Sequence, residues 1–183
     1  MPRIPALTTA AAPPASQPML KAVHKKLGMV PNLIKTFAHS PAVLKYYLTG
    51  SEALGGGALP ATLREQIALV TAGANGCDYC ASAHTLIGKG AGLTAPEMAD
   101  NLRGRSGNAK AQAALDFAAA IVAGRGRVGD AQLQAVRAAG YGDAEVVEIV
   151  ANVVANIFTN YFNHVAGTVI DFPVVKAAEP ALA

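Results

Sequence analysis

Residues 149–170 run for 22 positions without a lysine, arginine, aspartate or glutamate. A run of that length could cross a bilayer as a helix, so its pattern decides between lipid and protein as its surroundings. Asn152, Asn156 and Asn160 recur every four residues, and Asn163 and His164 continue the line. That spacing draws one polar stripe along an otherwise apolar helix. The ordinary reading of the stripe is a solvated face; the sharper one is the lining of a pore, pocket or subunit axis. Its apolar flanks favour burial in an oligomer over lipid, so no membrane span is expected.

The rest of the chain reads as helices separated by glycine and proline, with no convincing strand pattern. "PNLIKTFAH", "SPAVLKYYLTGSEAL" and "LPATLREQIALVTAGANG" each open on residues suited to a helix start, and "TAPEMADNLRG" opens with a capping box from Thr94 to Glu97. The predicted fold is all-α, with the last helix the longest. Residues 19–183 suit a single domain, long enough to bury its own core. Residues 1–18 read as an extended arm, because Pro5, Pro13, Pro14 and Pro18 interrupt every apolar run that could serve as a signal segment. A cytoplasmic protein is expected, with a partner subunit clamping the arm.

Charged residues make up 15% of the chain and apolar ones 52%, so little polar surface is available and a homo-oligomer is expected. The net charge of +3 is small, and the densest cationic cluster is Lys21, Lys25 and Lys26. No basic stripe marks a nucleic-acid face, and nucleic acid is not an expected partner.

Chemistry concentrates in "EQIALVTAGANGCDYCASAH", residues 65–84, which holds both cysteines. On a helix, Cys77, Cys80 and His84 advance by three and then four residues, so both sulfurs and the imidazole share a face. Asn75-Gly76 turns the preceding helix back antiparallel. Counting the helical rise from that turn sets Glu65 and His84 within ~3 Å of the same height. Glu65 should therefore reach His84 before either cysteine, giving the order carboxylate, imidazole, thiol, in which a base deprotonates the sulfur and a third group orients the base.

The thiolate is the reactive form of cysteine, and an unperturbed thiol supplies little of it at neutral pH. A helix N-terminus, a neighbouring thiol and an imidazole all raise that supply. A second sulfur three positions away allows a disulfide once the first has become a sulfenic acid. Two other classes compete. Cys77, Cys80 and His84 could ligate zinc, with Glu65 or a distant residue as fourth ligand, although no second Cys or His pair completes a closed site. The cysteines could also be inert core, but structure alone seldom needs their spacing. Tyr79 reads as packing, and His24, His39 and His164 as structural.

An offset of 80 residues lays Glu65 on Glu145, Val70 on Val150 and His84 on His164. The echo fits either a duplicated hairpin whose second copy lost its cysteines or chance agreement.

The pattern of Glu65, eleven residues, Cys77-x-x-Cys80, three residues and His84 resembles the core motif of the alkyl hydroperoxidase D-like proteins of the carboxymuconolactone decarboxylase superfamily. Outside it, "LGMVPNLIKTFAHSPAVLKYYLTGSEAL" and the "DFP" of Asp171 to Pro173 resemble the peroxidase-related branch, so the likeness spans most of the chain. The resemblance implies an all-helical subunit, assembly into trimers or hexamers, and thiol-dependent reduction of hydroperoxides with electrons from a thiol or dihydrolipoyl-type donor. It makes Cys80 the peroxidatic sulfur, Cys77 the resolving one, His84 the base and Glu65 the relay behind it. No metal and no cofactor are expected. The family's alkyl hydroperoxidases carry a histidine between the cysteines, where this sequence has Asp78-Tyr79. Lactone decarboxylation, the reaction that names the superfamily, does not call for a cysteine pair.

Overall fold

A computed structural model describes residues 1–177. Among them nine helices follow one another with no strand: α1 (Gln17–Leu27), α2 (Asn32–Phe37), α3 (Pro41–Gly55), α4 (Ala61–Asn75), α5 (Asp78–Gly90), α6 (Ala95–Asn101), α7 (Ala109–Ala123), α8 (Asp130–Ala138) and α9 (Asp143–Ala166). The chain divides into two compact units. One comprises Met1–Gly56 with Phe162–Asp171, the other Gly57–Tyr161 with residues 172–177. Among the described residues no helix is long and apolar enough to cross a membrane.

In the first unit the Phe37 ring lies 5.1 Å from that of Tyr47 and 4.5 Å from that of Phe162, centroid to centroid. The N-terminal residues find several partners within this unit. Arg3 donates its N–H to the Ala166 carbonyl at 2.7 Å, Leu7 to the Lys35 carbonyl at 3.3 Å, and the Pro5 carbonyl lies 2.9 Å from His39 Nε2. Proline-rich chain has few N–H groups of its own to satisfy, so these few bonds suffice to tie it down. Asp171 of the "DFP" run has a structural task here. Its Oδ2 accepts the Asn32 N–H at 2.7 Å, at the start of α2, where Pro31 offers no side-chain cap.

The second unit is built on α4, α7 and α9. Leu63, Ile67 and Val70 of α4 meet Leu115, Phe117 and Ile121 of α7 and Ile149 and Val153 of α9 in one core. Each such side chain contributes roughly 1.5–3 kcal/mol by leaving water. Gly73 lets α4 approach α6 closely, since a Cβ there would collide with the Leu102 carbonyl. At the end of α4, Gly76 takes the left-handed conformation at φ 64°. The Gly76 N–H bonds the Gly73 carbonyl at 3.1 Å and the Cys77 N–H the Ala72 carbonyl at 2.9 Å, a paired closure that ends one helix and aims the next. The expected capping box forms at Thr94 and Glu97.

The asparagine stripe is not a solvated face. Asn152, Asn160 and Asn163 are buried. The cost of burial is offset in part by partners close at hand, although Asn160 Nδ2 has no hydrogen-bond partner among the described residues. Asn152 Nδ2 donates to the Glu148 carbonyl at 2.8 Å, Asn156 Nδ2 to the Asn152 carbonyl at 2.9 Å, and Asn75 Nδ2 to Asn160 Oδ1 at 2.9 Å. The 80-residue echo has no structural counterpart. Glu65 and His84 stand on two helices joined by a turn, whereas Glu145 and His164 share the single helix α9.

Candidate active site

Cys77 sits one residue before α5, at its N-cap with extended backbone, and Cys80 lies in the first turn. The helix thus begins one residue later than the spacing suggests, between the first cysteine and Asp78. The two are thiols rather than a disulfide, and both are buried, at 1% and 2% exposure. His84 follows Cys80 by one turn. Its Nδ1 stands 2.8 Å from Glu65 Oε2, on α4 across the hairpin, with the two side chains 21% and 16% exposed. The Gly76 turn is what brings them level: it lays α5 back along α4 so that residues on either side of it face each other.

Burial works against a charged His84. The negative charge of Glu65 and its hydrogen bond, the Cys80 sulfur, and a hydrogen bond with Asn156 outweigh it and hold the imidazole above its ordinary value of 6.5. Cys77 is also shifted upward, which for a thiol disfavours the charged form. Its hydrogen bond to Cys80, burial, and the charge that Cys80 can carry push the Cys77 thiol up, while the N–H groups of Cys80 and Tyr79 pull against them. The second thiol is therefore held protonated beside the first.

Two residues of α9 complete the surroundings and were not legible as site residues. Asn156 stands beside His84 and favours its charged form, and Thr159 Oγ1 lies 3.8 Å from Cys80 Sγ. The four-residue asparagine spacing was the signal for Asn156; nothing in the sequence marked Thr159. Tyr79 packs, its ring edge-on to Phe172 with centroids 5.5 Å apart. Among the described residues no group of three or more His, Cys, Asp or Glu is arranged to hold a metal ion.

Residues 41–123 match the sequence model of the Carboxymuconolactone decarboxylase family. No curated protein sequence matches the chain. Among solved structures, an uncharacterized peroxidase-related protein from Ralstonia eutropha JMP134, described as an alkylhydroperoxidase AhpD core, is 28% identical with a TM-score of 0.83, over 93% of this chain and 92% of that one. An uncharacterized peroxidase-related protein from Silicibacter sp. TM1040 is 24% identical with a TM-score of 0.79, over 91% of each chain. The debrominase Bmp8, solved both alone and as a cysteine-to-alanine variant with 2,3,4-tribromopyrrole, shares the fold at 22% identity and a TM-score of 0.78, over 92% of this chain and 91% of that one. The match over residues 41–123 and the likeness to the alkylhydroperoxidase AhpD core support an alkyl hydroperoxidase D-like member of the carboxymuconolactone decarboxylase superfamily. That superfamily contains enzymes.

Proposed function

We propose that this protein is a thiol-dependent peroxidase that reduces hydroperoxides through Cys80 and Cys77. The observation that carries the reading is the 2.8 Å contact between Glu65 and His84, one helical turn from Cys80. It supplies a base, oriented by a carboxylate, beside a buried sulfur. His84 takes the Cys80 proton, and the negative charge of Glu65 stabilises the imidazolium. The Cys80 thiolate attacks the outer oxygen of the hydroperoxide, the O–O bond breaks, and the leaving alkoxide takes the proton from His84. Cys80 is then a sulfenic acid. Cys77, a protonated thiol until this point, attacks the Cys80 sulfur; the S–S bond forms and water leaves with the Cys77 proton. A thiol or dihydrolipoyl-type dithiol returns the pair to its reduced form, and no other cofactor takes part.

The same reading places the protein in a reducing, cytoplasmic setting as a homo-oligomer, a trimer or hexamer. The exposed valines of α9 support assembly. A peroxide-consumption assay with small thiols and a dihydrolipoyl donor tests the activity: wild type should turn over and Cys80→Ser should not. Limiting peroxide should leave a sulfenic acid on Cys80 in Cys77→Ser and far less on Cys77 in Cys80→Ser. A label found chiefly on Cys77 reverses the assignment, and about one zinc per subunit by mass spectrometry after mild purification sinks the thiol reading altogether.

A further inference from the structure

The last helix contributes more to the dithiol site than packing. Thr159 of α9 is buried, at 5% exposure. Its hydroxyl donates to the Asn156 carbonyl at 2.9 Å. A threonine that bonds a carbonyl one turn back is a common local habit of helices and means nothing by itself. What distinguishes Thr159 is the other side of the same oxygen, where Cys80 Sγ stands 3.8 Å away with its S–H directed at Oγ1. In the thiol state the hydroxyl is thus an acceptor towards sulfur and a donor towards the helix. Once Cys80 loses its proton, the sulfur becomes a hydrogen-bond acceptor, and the hydroxyl hydrogen has a better partner than a carbonyl that already serves the helix ladder.

We propose that Thr159 is a further catalytic residue of this site, its hydroxyl accepting from the Cys80 thiol and then turning to donate to the Cys80 thiolate. This rests on the peroxidase reading above, in which Cys80 is the reacting sulfur. The proton inventory closes: the Cys80 proton goes to His84, while Thr159 keeps its own hydrogen and only redirects it by rotation about Cβ–Oγ. The same helix carries Asn156, which favours the charged imidazole, so α9 bears on both members of the thiolate–imidazolium pair. Among the described residues, Cys80 shares its surroundings with Cys77 at the N-cap of α5, with His84 on α5 and, behind His84, with Glu65 on α4. Neither α9 residue ionises, so Thr159 moves the titration of Cys80 without adding one of its own.

The experiment is a pH titration of thiolate ultraviolet absorbance in the Cys77→Ser protein, where Cys80 is the one remaining thiol and buried sulfur needs no access by a reagent. Thr159→Ser keeps the hydroxyl and should keep the midpoint. Thr159→Val keeps the shape, removes the donor, and should raise the midpoint by about one pH unit, which is an about tenfold lower thiolate fraction below both midpoints. A Thr159→Val midpoint equal to the parent's overturns the proposal, and so does Thr159→Ser shifted as far as Thr159→Val, since that would make the methyl group's packing the cause. Peroxide turnover by the wild-type protein separates the two claims. If the midpoint moves as stated while the wild type consumes no hydroperoxide, the peroxidase reading fails and the Thr159–Cys80 partnership stands.

Discussion

Asp78, one of the two residues between the cysteines, places Oδ2 2.7 Å from Nζ of Lys176, far along the chain. Its other oxygen accepts the Ala177 N–H at 2.9 Å. One turn later Ser82 Oγ accepts the Val175 N–H at 2.9 Å and donates to the Asp78 carbonyl at 2.7 Å. With Tyr79 against Phe172, residues 172–177 lie along the side of α5 that carries Asp78 and Ser82, well round the helix from Cys80 and His84. Asp78-Tyr79 therefore holds the tail where the alkyl hydroperoxidase pattern carries a histidine.

The contacts of the tail differ in worth, and burial decides which matter. Lys176 is 79% exposed, so Lys176→Ala should lower stability by less than about 1 kcal/mol. Ser82 is 1% exposed and serves two backbone groups, so Ser82→Ala should cost about 1–3 kcal/mol by leaving the Val175 N–H without its acceptor. Urea unfolding of the two variants checks this. Equal losses would show that the ion pair, not the buried hydroxyl, secures the tail.

His84 makes stability depend on pH with a definite sign. Its folded value stands above 6.5, chiefly because Glu65 overcomes the cost of burial. A group raised on folding lends its full stabilisation below its unfolded value and loses it as pH climbs through the folded one. The difference in unfolding free energy between wild type and Glu65→Gln should accordingly be larger at about pH 6 than at about pH 9. A difference that grows with pH would mean that the carboxylate does not stabilise a protonated imidazole. In the Cys77→Ser background the same substitution should raise the Cys80 midpoint, and His84→Gln should raise it at least as far.

How much of this was legible depended on how local each contact is. Glu65 and His84 could be paired from the sequence because a single left-handed glycine, Gly76, fixes the direction of the return helix, and helical rise does the rest. Thr159 could not be found that way. Its approach to Cys80 depends on how α9 packs against α4 and α5, and no local rule sets that distance. The asparagines misled because their spacing is that of a wet face, while their side-chain amides bond backbone one turn back and so can be buried. The tail was invisible for a simpler reason: residues 172–177 carry no periodicity for a pattern to reveal.

Two helical glycines should respond to alanine with opposite signs. Nothing lies within 4 Å of a Cβ added at Gly50 in α3, so Gly50→Ala should stabilise by about 0.5–1 kcal/mol through lost freedom of the unfolded chain. At Gly73 the added carbon meets the Leu102 backbone, which cannot swing aside as a side chain would. Gly73→Ala should cost about 1–3 kcal/mol or more, because α4 and α6 must separate. Thermal unfolding of the two variants reads both signs, and a stabilised Gly73→Ala would show that the approach of these helices is not tight.

Assembly can be tested on the outer face of α9. Val147, Val150, Val154 and Tyr161 are exposed, Val147 by 67% and Val154 by 53%, and they recur at the three- and four-residue steps of a single helical stripe. Four large apolar side chains in a row on one helix are more than scattered surface residues account for, and covering them with the same face of another copy would take them out of water. Light scattering at micromolar concentration should give a mass above the 18.6 kDa of one chain. Replacing Val150 and Val154 together by glutamate should lower that mass without unfolding the subunit, since neither side chain belongs to the core and glutamate is the better helix former. A wild-type mass of 18.6 kDa would defeat the expectation of an oligomer. A mass that the double substitution leaves unchanged would place the contact on a different face of the subunit.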